Sequence, residues 1–133
     1  MIVVSDTSPL NYLIQINLVD ILRQLYGRVF VPHEVHAELL ADGALKKVRT
    51  WALTPPEWFE IRSAIPVPRP EIETLDSGEQ AAITLALEMH ADRLLADERK
   101  ARRIAHDCFG LKVTGTLGVL REAHFAGLLK APE

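Results

Sequence analysis

The sequence predicts an α/β fold, a three-layer α/β/α sandwich around a mostly parallel central sheet. Three observations lead to this prediction. Short runs rich in β-branched residues alternate along the chain with longer segments whose apolar residues recur at helical spacing. The length of 133 residues is that of one ordinary domain, and 48 % of the residues are apolar, which is enough for a core. We therefore expect residues 1–133 to form a single domain.

The strands are predicted where aliphatic and β-branched residues cluster without helical spacing. In chain order these segments are 2–5, 28–31, 58–61, 93–96 and 111–114. A loop that holds three prolines, residues 63–70, follows the third of them. Right-handed crossovers between successive strands would make the sheet mostly parallel.

The helices are predicted between the strands, in segments 10–16, 18–26, 32–40, 44–53, 76–89, 98–109 and 116–129. Ser8 and Pro9 favour a helix start, with serine as the N-cap and proline at the first helical position. Gly27 and Gly110 stand where helices are expected to end. This order of elements places a helix after each strand.

Acidic residues stand where a parallel sheet binds its ligands, beyond the carboxyl ends of the strands. Asp6 follows the first strand directly, and Asp97 follows strand 93–96 in the same way. Glu38 lies on the helix after the second strand, one turn beyond Glu34, which competes with it for the same role. Glu79 lies in the first turn of helix 76–89. We expect four carboxylates from four segments to converge at one edge of the sheet.

Such a cluster has a chemical use. Mg²⁺ and Mn²⁺ prefer carboxylate oxygens, with water completing the coordination. One or two of these ions activate water near neutral pH and stabilise the leaving oxygen of a phosphodiester. Without metal, the carboxylates would repel one another and would also repel phosphate.

Each carboxylate also has a structural interpretation. Asp6 could cap the turn into the first helix, and Asp97 could be the N-cap of helix 98–109. Glu79 could pair with Asp76 in a capping box, and Glu38 could be a solvated charge on a helix surface. Capping and metal binding can coexist, so the sequence leaves both interpretations open.

Four motifs favour the interpretation that the carboxylates bind a metal ion. They are residues 3–10 (VVSDTSPL), 75–83 (LDSGEQAAI), 94–102 (LLADERKAR) and 113–120 (VTGTLGVL). Their order and spacing resemble PIN-domain proteins, and the last motif resembles a branch related to VapC-like toxins. The resemblance covers nearly the whole chain. It implies a ribonuclease that depends on Mg²⁺ or Mn²⁺, often the toxin of a toxin–antitoxin pair.

The resemblance assigns the acidic site to Asp6, Glu38, Glu79 and Asp97, with Asp6, Asp97 and Glu79 as metal ligands. Many PIN proteins carry a further Asp or Asn just beyond the last of these, where this chain has residues 114–116 (TGT). Here the hydroxyl of Thr116 either holds a metal-bound water or N-caps the last helix. The same two roles are open for Ser8, and the number of metal ions stays open. The alternative function is a PIN-like module that binds RNA or protein without cleaving.

Basic and apolar residues indicate which partners the protein could bind. Arg99, Arg102 and Arg103 follow Asp97 on one helix and either contact RNA phosphates or form a solvated face. The net charge of −3 argues against broad electrostatic binding of nucleic acid. Many large apolar residues in segment 9–26 predict a homodimer, and an antitoxin partner is implied by the resemblance alone.

The cellular location is expected to be the cytoplasm. Cys108 is the only cysteine, so the chain cannot form an internal disulfide. No apolar run approaches the roughly 20 residues that a membrane-spanning helix needs, so no membrane association is expected.

Overall fold

A five-stranded parallel sheet organises the computed structural model, which describes residues 1–65 and 67–129. The strands are Val3–Ser5 (β1), Val29–Pro32 (β2), Phe59–Arg62 (β3), Arg93–Leu95 (β4) and Val113–Thr114 (β5). Their order in the sheet is β3-β2-β1-β4-β5, and every pairing is parallel. The central strand β1 pairs through Val3 with Val29 on one side and with Arg93 on the other. The predicted fold class is confirmed.

Seven α-helices surround the sheet within the described residues. They are Thr7–Gln15 (α1), Ile21–Tyr26 (α2), His33–Leu40 (α3), Lys46–Leu53 (α4), Ser77–Glu88 (α5), Arg99–Phe109 (α6) and Thr116–Phe125 (α7). A short 3₁₀ turn, Pro70–Ile72, precedes α5. None of the helices within residues 1–65 and 67–129 is both long and apolar enough to cross a membrane.

The core lies on both faces of the three inner strands. All three residues of β1 and all of β4 are buried, as are the four residues of β2. Helix α5 packs on this surface through a continuous buried stretch, residues 81–86. Burial on all sides explains why its apolar residues do not form a single stripe. The inner strands and α5 thus form a rigid support for the loops at the carboxyl edge.

The start of the first helix differs from the prediction. The N-cap is Asp6, whose backbone stays extended (φ −79°, ψ 177°), and the helix begins at Thr7. Ser8 is the second helical residue, so the predicted N-cap role of Ser8 is wrong. Pro9 then occupies the third position, where a backbone N–H has no partner inside the helix anyway.

Two other helix limits differ from the prediction for a backbone reason. The second helix begins at Ile21 instead of residue 18, because residues 18–20 form a turn in which the N–H groups of Ile21 and Leu22 donate to the carbonyls of Leu18 and Val19. The last helix ends at Phe125 instead of residue 129, because Gly127 adopts a left-handed conformation (φ 75°) just beyond it. A left-handed residue ends the helical hydrogen-bond ladder.

Candidate functional site

The topological switch of the sheet lies between β1 and β4. From β1 the chain proceeds outward through β2 to β3, and it then returns to build β4 and β5 on the other side. Crevices at such a switch, beyond the carboxyl ends of the strands, are where parallel α/β sheets bind ligands. Asp6 and Asp97 follow the two strands that border this crevice. The backbone N–H of Asp6 donates to the carbonyl of Leu95 at 2.8 Å, which ties the two strand ends together.

Asp6 is a buried carboxylate that has no positively charged partner within the described residues. The residue is only 6 % exposed, and no Lys, Arg or His side chain in residues 1–65 and 67–129 forms an ion pair with it. The pKa of Asp6 is raised to about 7, chiefly by burial and to a smaller extent by the charges of Glu79, Asp76 and Glu38, while the N–H of Thr7 opposes the shift. A divalent cation at this carboxylate would remove the cost of its ionisation.

Glu38 is held toward Asp6 by two neighbouring elements. The Thr7 hydroxyl donates a 2.6 Å hydrogen bond to Oε2 of Glu38. On its other side the carboxylate lies against Gly78 in the first turn of α5, so closely that a Cβ at that glycine would be 2.2 Å from Oε1. Glu34 instead lines a separate groove beside Ser77. Of the two competing glutamates, Glu38 is therefore the one that faces the crevice.

Glu79 belongs to a capping box at the start of α5. The Asp76 carboxylate accepts from the Glu79 N–H at 2.8 Å, and the Glu79 carboxylate accepts from the Asp76 N–H at 3.1 Å. Burial raises the pKa of Glu79, as do the nearby charges of Asp76, Glu98 and Glu38, while the Asp76 N–H opposes the shift. The capping role considered for Glu79 is therefore observed, and the same carboxylate also lies near enough to Asp6 for the two charges to interact.

Asp97 is fixed from the opposite side of the crevice. Its two oxygens accept from the backbone N–H and the hydroxyl of Thr116, both at 2.6 Å. The predicted alternative that Asp97 N-caps the following helix is wrong, because Glu98 is the N-cap of α6 and accepts from the Ala101 N–H at 2.7 Å. The N-cap role considered for Thr116 is also wrong, since Gly115 is the N-cap of α7 and Thr116 is its first residue.

The four predicted carboxylates thus meet in two groups. Asp6, Glu38 and Glu79 lie close enough for their charges to interact, whereas Asp97 is held on the other side of the crevice by Thr116. In the part of the chain that the structure describes, no three His, Cys, Asp or Glu side chains are already arranged as a ligand set. The donor chemistry fits a hard divalent ion. Within the described residues no side chain donates a hydrogen bond to the Asp6 carboxylate, whereas Glu38 and Asp97 accept from threonine hydroxyls.

A family model described as DUF3368, a PIN domain, matches residues 2–133. The chain belongs to the PIN domain family. PIN domains are generally nucleases, and they typically use divalent metal ions. No curated protein matches the sequence.

The fold is also similar to a solved structure, a PilT N-terminus domain protein from the hyperthermophilic archaeon Sulfolobus solfataricus P2. The two share 15 % sequence identity with a TM-score of 0.62, over 100 % of this chain and 98 % of that one. At this identity the likeness bears on the fold alone, and it agrees with the parallel sheet of this PIN domain.

Three acidic or hydroxyl residues of the PIN-domain crevice were not predicted as site residues, although Asp76 was predicted as the capping partner of Glu79. Asp76 and Glu98 add their charges to the cluster, and Thr7 orients Glu38. Glu98 adjoins Asp97 in sequence, so the acidic pair after the fourth strand was a usable signal. The role of Thr7 depends on how α3 packs against α1, which no local pattern reveals.

The arginines predicted to contact RNA lie beside Asp97. A shallow groove of about 470 Å³ is lined by Asp97 together with Arg99, Arg102 and Arg103. A second groove of about 590 Å³ adjoins it and adds Arg121, a residue of α7 that the sequence reasoning did not single out. Positive side chains therefore border one side of the acidic crevice.

Proposed function

We propose that this PIN domain is a divalent-metal-dependent endoribonuclease that hydrolyses RNA phosphodiesters. The observation that carries the proposal is the buried Asp6 carboxylate at the topological switch, raised in pKa by burial and by neighbouring carboxylates. A fold gains nothing in stability from such a group, because ionising it costs free energy near neutral pH. A bound cation would offset that cost, so a buried carboxylate of this kind is typical of a cation-binding site.

In this proposal Asp6, Asp97 and Glu79 hold Mg²⁺ or Mn²⁺, and Glu38 completes the acidic site. When bound, the ion supplies positive charge to the phosphodiester and lowers the pKa of water toward neutrality. The chain itself contributes orientation. Thr116 fixes both oxygens of Asp97, so that carboxylate has one defined position at the edge of the crevice.

Glu38 receives a comparable restraint from α1. The hydrogen bond from Thr7 and the close approach to Gly78 direct its carboxylate to the positive end of α5. Ser8, in the first turn of α1, stays a candidate to bind a water in the crevice, and Thr116 acts through Asp97.

RNA cleavage with and without Mn²⁺ tests the proposal. We expect wild type to cut single-stranded RNA in millimolar Mn²⁺ and not in EDTA. Asp6→Asn and Asp97→Asn should each lower the cleavage rate by at least about 100-fold, since even outer partners of a metal site cost 10- to 100-fold. Asp42→Asn, an exposed carboxylate in the turn after α3, is the matched control and should cut as wild type does. Full activity in both site variants would refute the assignment.

The second candidate is a PIN-like module that binds RNA or protein without cleaving. The observation in its favour is that Glu38, Glu79 and Asp97 already accept hydrogen bonds within the chain. Thermal unfolding across a Mn²⁺ titration separates the two candidates. A nuclease should gain stability by mass action, and Asp6→Asn should remove most of that gain. A melting temperature that does not change up to millimolar Mn²⁺ would favour the non-cleaving module.

The biological setting we propose is that of a toxin with an antitoxin partner, acting as a homodimer. Its support is the VapC-like sequence of residues 113–120. Fewer apolar residues are available for a dimer interface than the sequence suggested, because most large apolar residues of α1 and α2 are buried in the core. Tyr12 on α1 and Ile16, the residue just after α1, remain about half exposed. Light scattering at micromolar concentration tests the dimer, and a monomer would refute it.

A further inference from the structure

Two adjoining grooves pass the Asp97 side of the crevice. One follows the outer face of α6, and the other crosses β5 between α6 and α7. Asp97, Arg102 and Val113 line both of them, so the grooves meet at the carboxylate that we assign to the metal site. Because β5 is the edge strand of the sheet, this track lies open along the side of the molecule.

Two arginines of this track are unpaired within the part of the chain that the structure describes. Arg102 on α6 and Arg121 on α7 are exposed, and neither forms an ion pair or donates a hydrogen bond within residues 1–65 and 67–129. Four other arginines form ion pairs, Arg23 with Asp20, Arg28 and Arg62 with Glu60, and Arg93 with Glu122. In a chain of net charge −3, two unpaired arginines beside an acidic site are suited to binding an anion.

The side chain of Arg102 passes close to the backbone of Gly115. A Cβ on Gly115 would lie 3.0 Å from Oδ1 of Asp97 and 3.3 Å from Nη1 of Arg102, so both side chains approach the bare backbone there. Arg102 nevertheless forms no ion pair with Asp97, whose two oxygens each accept a hydrogen bond from Thr116. The guanidinium thus keeps its donors for a group in the groove, and the planar fork of donors suits a phosphate.

An exposed apolar residue completes the groove. Leu117, in the first turn of α7, is 82 % exposed and lines the same groove as Arg102 and Arg121. The core gains nothing from this leucine, and a purely ionic site has no use for it. An apolar side chain beside two phosphate-binding arginines suits a nucleotide, because an unstacked base offers an apolar face.

We propose that the groove between α6 and α7 holds single-stranded RNA on one side of the cleavage point, with Arg102 and Arg121 binding phosphates and Leu117 packing against a base. The inference rests on the proposed nuclease function and deepens it by assigning the substrate track. The strand is single because a base held in a duplex stack cannot present its face to Leu117.

Fluorescence anisotropy without metal tests the track. The probe is a fluorescein-labelled oligouridine of about 12 nucleotides, titrated in EDTA across a series of salt concentrations. Arg102→Gln/Arg121→Gln should weaken binding by about tenfold or more at low salt. It should also reduce the slope of log K against log salt by about 1.4, since each phosphate contact on a single strand contributes about 0.7. Leu117→Ser should weaken binding without changing the slope.

The matched control is Arg23→Gln, which removes one exposed positive charge on α2, away from the groove. It should bind with the affinity and slope of wild type. Wild-type affinity and slope in Arg102→Gln/Arg121→Gln would overturn the proposal, as would an equal loss in the control. A wild-type affinity in Leu117→Ser would overturn the base contact.

Cleavage assays keep this inference separate from the proposed nuclease function. If the groove variants lose RNA binding in EDTA and wild type never cuts RNA with Mn²⁺, the nuclease proposal fails and the binding track stands. If wild type cuts RNA while Arg102→Gln/Arg121→Gln binds normally, the track fails and the nuclease proposal stands.

Discussion

Replacing Asp6 by Asn should stabilise the metal-free protein at alkaline pH while it abolishes cleavage. The carboxylate is 6 % exposed, and burial together with three nearby carboxylates raises its pKa from 3.8 to about 7. The native state therefore binds a proton more tightly than the unfolded state. Stability from this group is complete below about pH 4 and is lost as the pH rises through about 7.

The size of the effect follows from the two pKa values. At about 1.4 kcal/mol per pKa unit, ionising Asp6 in the folded protein costs about 4 kcal/mol above pH 7. Asn has nearly the same shape and no charge, so Asp6→Asn should recover up to about 4 kcal/mol at pH 8. Near pH 4 the wild-type side chain is protonated in the native state, and the difference should be close to zero. This gain is a large part of the 5–15 kcal/mol that domains usually have.

Urea unfolding in EDTA, at several pH values from 4 to 8, measures the difference directly. Groups far from Asp6 act equally in both proteins, so the difference between their free energies of unfolding reports on Asp6 and on the carboxylates that interact with it, Glu79, Asp76 and Glu38. Asp97→Asn is a useful contrast, because Asp97 accepts two hydrogen bonds from Thr116 and its replacement should destabilise instead. A free-energy gain in Asp6→Asn that is the same at pH 4 and pH 8, or a loss at pH 8, would refute the reasoning.

Three further variants probe the surroundings of the crevice. Asp76→Ala removes the cap of α5 and should cost about 1 kcal/mol in urea unfolding, and an unchanged midpoint would count against the capping box. Gly78→Ala should change stability by less than about 1 kcal/mol, because alanine favours the helix while its Cβ displaces the flexible Glu38 carboxylate. The same variant should lose RNA cleavage, and wild-type rates would contradict the placement of Glu38. Thr116→Val removes the hydroxyl that binds Asp97 and should cost about 1–2 kcal/mol, with slower cleavage; thermal and kinetic assays that match wild type would show that the hydroxyl is dispensable.

The fold was largely predictable because its signals are local. Buried strands and their succession can be recognised from apolar runs, and a parallel sheet then brings the residues after β1 and β4 to one edge. The positions of Asp6 and Asp97 at the crevice could therefore be predicted from the sequence alone. The start of α1 was missed because Ser8 and Pro9 are acceptable in the first turn as well as before it.

The finer arrangement of the site depends on packing between distant segments. The choice between Glu34 and Glu38 depends on how α3 is rotated against α1 and α5, which the sequence leaves open. The pairing of Asp97 with Thr116 joins residues 19 positions apart across β4 and β5. Arg121 lines the groove between α6 and α7 only because α7 packs beside β5, so nothing in the sequence around Arg121 indicates this position.

Crystals soaked in Mn²⁺ and measured at the manganese absorption edge would test most directly whether the Asp6 carboxylate binds a cation. We expect an anomalous peak about 2.1 Å from an oxygen of Asp6, with a second carboxylate from Glu79 or Asp97 turned toward it. The peak should be absent from crystals of Asp6→Asn. Manganese bound only elsewhere on the molecule, or no peak at millimolar Mn²⁺, would contradict a metal site at this crevice.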